Sequence, residues 1–179
     1  MGRPLVFSSN SSRGLDTYVD SSWGTRFSVS GCIVFFHGCA FHWFSKMQRS
    51  VTLSSAEAEF FGAMMASRDV VWLRDLLTDL GIVLTGASVL WSDSKSAVDM
   101  AFDPIAFKQT KHILRAAEFL RDLVARDVVT LRHVVGRIMI ADVFTKAVAW
   151  LIYLELLKLA DGYASAGVVV SAAAQRSKP

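Results

Sequence analysis

The sequence predicts one α/β domain: a mixed five-stranded sheet, three antiparallel strands then parallel additions, flanked by helices. Three observations carry this expectation. The 179 residues fit a single domain, and 53% hydrophobic residues against 20% charged ones can offset chain entropy. Runs rich in β-branched and aromatic residues open the chain, and stretches with apolar residues at a period near 3.6 follow. The resulting order, βββαβα(α)βα, contains no repeat and no linker.

Residues 1–14 are rich in Ser with Gly and Pro and read as a loose leader. Leu15 to Trp23 is the first strand, with Tyr18 and Asp20 on one face and Val19 on the other. Phe27 to Phe36 is the second. Gly38 fits a tight turn, and Ala40 to Ser45 is the third. Ser54-Ser55-Ala56-Glu57 has the form of a capping box, with Ser54 as N-cap. The long helix behind it carries a stripe of Phe61, Met64, Val71, Leu73, Leu76, Leu77 and Leu80, and Gly81 stops it. Ala87 to Trp91 is a short strand. Asp93 or Ser94 caps a helix over Lys95 to Phe102, which Pro104 ends. Thr110 to Arg126 is amphipathic through Ile113, Ala117, Leu120 and Val124. Val128 to Val134 is the fifth strand. Ile138 to Lys146 begins a last helix that runs on, with a break, to Leu159. The domain is thus expected over 15–160, with a disordered tail over 161–179.

Composition excludes several classes. Cys32 and Cys39 are too few for a disulfide scaffold or a Cys-based zinc cage. No secretory leader and no run of about 18 uncharged apolar residues is present, which points to an intracellular protein, cytoplasmic or nuclear, with no membrane partner. A net charge of +3 permits a polyanionic partner without requiring one.

Four carboxylates lie where an α/β sheet gathers its chemistry: Asp20 on the first strand, Glu57 in the first helical turn, Asp93 just past the fourth strand and Asp142 in the last helix. Acidic oxygen donors without Cys suit Mg²⁺ or Mn²⁺ rather than zinc. Asp20 sits in an apolar run, where an unpaired carboxylate is costly. Glu57 also satisfies the capping box, Asp93 an N-cap and Asp142 a solvated helix position. Spacing alone leaves those alternatives open.

The wording of the motifs narrows them. Tyr18-Val19-Asp20-Ser21-Ser22-Trp23-Gly24, Trp43 to Gln48 with Val51 to Phe60, Trp91-Ser92-Asp93-Ser94, Thr110-Lys111-His112-Ile113 and Ala141-Asp142-Val143-Phe144-Thr145-Lys146 stand in order along the chain. Together they resemble the ribonuclease H domain of copia-type LTR retrotransposon Pol polyproteins, from about Leu15 to Leu159. The resemblance implies a ribonuclease H-like fold and an endonuclease that cuts the RNA strand of an RNA–DNA hybrid. It implies two Mg²⁺ ions, replaceable by Mn²⁺, held by Asp20, Glu57, Asp93 and Asp142, with Glu59 as a non-ligand acid. A reverse transcriptase domain of a parent polyprotein would be a partner. His133, near the last acid, is a candidate for product release, against the plainer reading of an edge-strand residue. Lys111 and His112 are candidates for phosphate contact, against a solvated helix start. Ser22, Leu114 and Val135 depart from the family's usual residues. The alternative function is a non-catalytic retrotransposon relic that at most binds nucleic acid.

Overall fold

The computed structural model describes residues 14–24, 26–102 and 111–162. Five strands, β1 (Asp16–Ser22), β2 (Val29–Phe36), β3 (Cys39–Met47), β4 (Ser88–Ser92) and β5 (Val129–His133), form one sheet in the order β3-β2-β1-β4-β5. β1, β2 and β3 are an antiparallel meander, and β4 and β5 join it in parallel. The turn between β2 and β3 is two residues, His37 and Gly38, both at positive φ, the geometry whose twist matches a hairpin. The helices are α1 (Ser55–Asp79), α2 (Lys95–Phe102), α3 (Lys111–Ala125) and α4 (Trp150–Gly162). The expected leader and tail lie almost entirely outside the described residues.

Local chemistry sets the ends of α1. Ser54 Oγ accepts from the Glu57 N–H at 3.2 Å, and Glu57 Oε2 accepts from the Leu53 N–H at 2.7 Å. At the far end Gly81, at φ +79°, closes a Schellman motif: the Ile82 N–H donates to Leu77 O at 2.8 Å and the Gly81 N–H to Thr78 O at 2.9 Å. Ser94, not Asp93, caps α2, through Ala97 N–H to Ser94 Oγ at 3.2 Å.

Each face of the sheet has its own core. On one face Val19, Cys32, Val34, Phe44, Leu90 and Leu131 pack under Phe60, Ala63, Ala66 and Val70 of α1 and Ala117, Leu120 and Leu123 of α3. On the other, Tyr18, Ile33, Phe35 and Trp91 meet Val134, Met139, Ile140 and Ala141. The side of α1 that meets the sheet is made largely of small residues. A Cβ on Gly62 would collide with Ser21 Oγ, so α1 lies close on β1. Of the expected stripe, Leu73 and Leu77 are buried, Phe61, Met64, Val71 and Leu76 are half-buried and Leu80 is exposed; nearest β1 the buried positions are instead Phe60, Gly62, Ala63 and Ala66.

One element differs in kind from its sequence expectation. Ile138 to Lys146 is not an α-helix but two 3₁₀ turns, Gly136–Ile138 and Ile140–Phe144, and α4 starts separately at Trp150. The reason lies beneath it. Asp20, Gly31 and Ser45 form a row across β1, β2 and β3. Gly31 leaves a gap there: a Cβ would sit 2.5 Å from Phe144 Cβ and 2.9 Å from Thr145 Cγ2. Ser45 Oγ donates to Phe144 O at 2.6 Å, drawing that carbonyl out of any helical ladder. Phe144 and Thr145 thus sit directly against this row.

Candidate metal centre

Three acids converge. Asp20, Glu59 and Asp93 each offer a carboxylate oxygen, and these oxygens lie within 4.8 Å of one another. Asp20 is fully buried on β1, Glu59 is 8% exposed on α1, and Asp93 follows β4 half-buried. β1 and β4 are parallel neighbours, so Asp20 and Asp93 come from adjacent strands. Because Ser94 takes the capping role, the Asp93 carboxylate is left for the cluster.

The second-helix-turn acid in this cluster is Glu59, and here the structure departs from the sequence expectation. Glu57 is turned back onto Leu53 by the capping box. Two residues on, the helix has rotated about 200°. Glu59 lies on the same stripe as Ala63, Ala66 and Val70, facing the sheet. Asp142 stands outside the three-acid group and reaches it through a cation: Lys146 Nζ donates to Asp142 Oδ1 at 3.0 Å and to Asp20 Oδ1 at 3.1 Å. Thr145 Oγ1 donates to Asp20 Oδ2. Sequence reasoning assigns no site role to Thr145 or Lys146. Their adjacency to Asp142 in the closing motif was the available signal.

His133 is the last residue of β5 and lies exposed, with Nε2 3.1 Å from the Asp93 backbone oxygen. It therefore borders the cluster through the Asp93 main chain. Lys111 and His112 begin α3, and their side chains lie outside the described residues.

Electrostatics show what the cluster lacks. Burial, then the charges of Asp20 and Asp93, push the Glu59 carboxyl up to about 9. Its Oε2 is buried and, among the described residues, without a hydrogen-bond partner. Burial, then Asp20, also raises Asp93, and burial raises Asp142 against the hydrogen bond from Lys146. Burial would lower Lys146, but the hydrogen bond to Asp142 and the charge of Asp20 raise it. Close carboxylates, one with an orphaned oxygen, and an ammonium drawn in among them fit a hard divalent cation with oxygen ligands.

The fold has known counterparts. LC11-RNase H1 in complex with an RNA/DNA hybrid superposes with a TM-score of 0.57 at 12% identity, over 73% of this chain and 93% of that one. A second structure of LC11-RNase H1, isolated from compost, gives a TM-score of 0.58 at 17% identity, over 75% and 94%. The prototype foamy virus protease-reverse transcriptase gives 0.51 at 13% identity, over 90% of this chain and 22% of that one. The architecture is a ribonuclease H fold.

Sequence relatives make this more specific. The retrovirus-related Pol polyprotein from transposon RE1 of Arabidopsis thaliana is 32% identical over 136 residues, 74% of this chain and 9% of the relative. That from transposon TNT 1-94 of Nicotiana tabacum is 32% identical over 123 residues, 69% of this chain and 9% of the relative. No family model matches the sequence. With fold and sequence in agreement, the chain belongs to the ribonuclease H domains of copia-type retrotransposon Pol polyproteins. It spans about a tenth of the length of these two relatives. Among the described residues no helix is long and apolar enough to cross a membrane.

Proposed function

We propose that the domain is a Mg²⁺-dependent ribonuclease that hydrolyses the RNA strand of RNA–DNA hybrids. The convergence of Asp20, Glu59 and Asp93 on a ribonuclease H fold carries this reading. Asp20, Glu59 and Asp93 would hold one divalent cation, and Asp20 with Asp142 a second. When bound, such a pair activates water and stabilises the leaving oxygen of an in-line displacement at phosphorus. Water adds to phosphorus, the bond to the 3′ oxygen breaks, and that oxygen leaves as a 3′-hydroxyl opposite a 5′-phosphate. The chain's own part is positional. The sheet fixes Asp20, the close packing of α1 on β1 fixes Glu59, and the Ser94 cap leaves Asp93 free to turn inward. This assignment takes Glu59 in place of Glu57 as the helix-borne ligand.

His133, exposed beside Asp93, would meet the substrate or product at the border of the site. Lys111 and His112 remain candidates for phosphate contact. Selectivity for RNA would rest on contacts to 2′-hydroxyls across the minor groove. A net charge of +3 offers few phosphate contacts, so hybrid binding by the isolated domain should be weak and salt-sensitive. A polymerase domain in the parent polyprotein would supply the grip.

The test is cleavage of an RNA–DNA hybrid labelled on the RNA strand, with Mg²⁺ and with EDTA. Mg²⁺-dependent RNA fragments from the wild type and none from Asp93→Asn support the proposal. A folded wild-type domain that leaves the hybrid intact returns the chain to a non-catalytic binding module.

A further inference from the structure

Lys146 is a cation that the chain itself places among the acids. Its Nζ bonds Asp20 Oδ1 at 3.1 Å and Asp142 Oδ1 at 3.0 Å, while Thr145 Oγ1 bonds the other oxygen of Asp20. Two consecutive residues thus engage both oxygens of the most buried carboxylate in the cluster. Asp142 is held by the same ammonium. A divalent cation on these carboxylates needs the oxygens that Lys146 now occupies.

The two partners differ in exposure. Asp20 is fully enclosed on a strand in mid-sheet, whereas the Lys146 side chain is 42% exposed. Lys146 can swing to solvent and Asp20 cannot move aside. The backbone under Lys146 need not follow, because Phe144 O is anchored to Ser45 Oγ and the gap at Gly31 seats Phe144 and Thr145.

We propose that Lys146 is a latch: its ammonium stands in for a divalent cation between Asp20 and Asp142, and must be displaced before the cation can bind there. It is a positioning residue that keeps the acidic cluster charge-balanced when cation is scarce and sets the concentration at which the site fills. This inference rests on the cation-binding reading above.

The experiment is calorimetric titration of Mn²⁺ into wild type, Lys146→Met and Lys146→Arg near neutral pH. Removing one competing, partly solvent-screened charge should tighten Mn²⁺ binding about tenfold in Lys146→Met. Lys146→Arg keeps the charge and should bind within about threefold of wild type. A merely structural ion pair predicts the reverse, since losing it would loosen Asp142 and weaken binding. Equal or weaker binding by a folded Lys146→Met, judged by far-ultraviolet circular dichroism, overturns the latch while wild-type binding leaves the cation site standing. No binding by any of the three overturns both. Should Lys146→Met fail to fold, ¹⁵N NMR of the wild-type ζ-ammonium groups decides. Loss of the protected Lys146 signal on adding Mg²⁺ supports displacement, and its persistence at saturating Mg²⁺ overturns it.

Discussion

Glu59→Gln should stabilise the cation-free protein at neutral pH, even though it removes a residue of the proposed site. Glu59 is 8% exposed, and burial with the neighbouring acids raises its carboxyl from 4.5 to about 9. The folded state therefore binds a proton that the unfolded state has released at any pH between these values. Stability must fall as pH rises across that window. At pH 7, roughly 2.5 units above the unfolded value, 1.36 kcal/mol per unit gives a penalty of about 3 kcal/mol. Gln has nearly the same shape and no proton to gain, so it avoids the penalty. For a domain of this size, about 2–3 kcal/mol is a rise in Tm of roughly 5–10 °C. The assay is thermal unfolding of both proteins in EDTA from pH 4.5 to 9. The two should melt together near pH 4.5 and separate progressively above it. A variant less stable than wild type at pH 7, or a gap that does not change with pH, would refute the placement of Glu59 in a buried acidic cluster.

The remaining expectations concern the site's supports. Saturating Mg²⁺ at pH 7 should raise the wild-type Tm by linkage and raise that of Glu59→Gln or Asp93→Asn much less; equal shifts in calorimetric scans would mean the ion binds elsewhere. Glu57→Ala should cost about 0.5–1.5 kcal/mol in denaturant unfolding, through loss of the 2.7 Å bond to the Leu53 N–H, with no change in Mg²⁺ binding. Gly31→Val should cost roughly 1–3 kcal/mol, because the new side chain meets Phe144 and Thr145, and should also weaken Mg²⁺ binding by lifting the segment that carries Asp142.

Much of this molecule is readable from its residues, and the misses have physical causes. The meander, the capping box at Ser54, the stop at Gly81 and the bounds of α2 follow from local chemistry that the fold does not override. The closing segment has a helix-compatible sequence, but its shape is set across the sheet, by the gap at Gly31 and the hydroxyl of Ser45. On α1 the apolar stripe holds at Leu73 and Leu77, while toward β1 the buried side is Gly62, Ala63 and Ala66, small residues that carry little apolar signal. The motif resemblance and the capping box both point to Glu57, whereas the acid that the fold brings to Asp20 and Asp93 is Glu59. Counting in helical steps from Glu59 meets Ala63, Ala66 and Val70, all buried, whereas counting from Glu57 meets Phe61 and Met64, both half-exposed. The capping box already gave Glu57 a purpose, which left Glu59 as the acid without one. Lys146, four residues after Asp142, reads in sequence as an ordinary helix-surface pair. Its second partner, Asp20, lies on another element.

The claim that matters most is that Asp20, Glu59 and Asp93 together hold the cation on which cleavage depends. Cleavage of an RNA–DNA hybrid in Mg²⁺ by Glu57→Gln and Glu59→Gln, side by side with wild type, tests it most directly. Glu57→Gln should cut within a few-fold of wild type, and Glu59→Gln should lose cleavage by at least about 100-fold while remaining folded. An active Glu59→Gln beside an inactive Glu57→Gln would contradict the assignment.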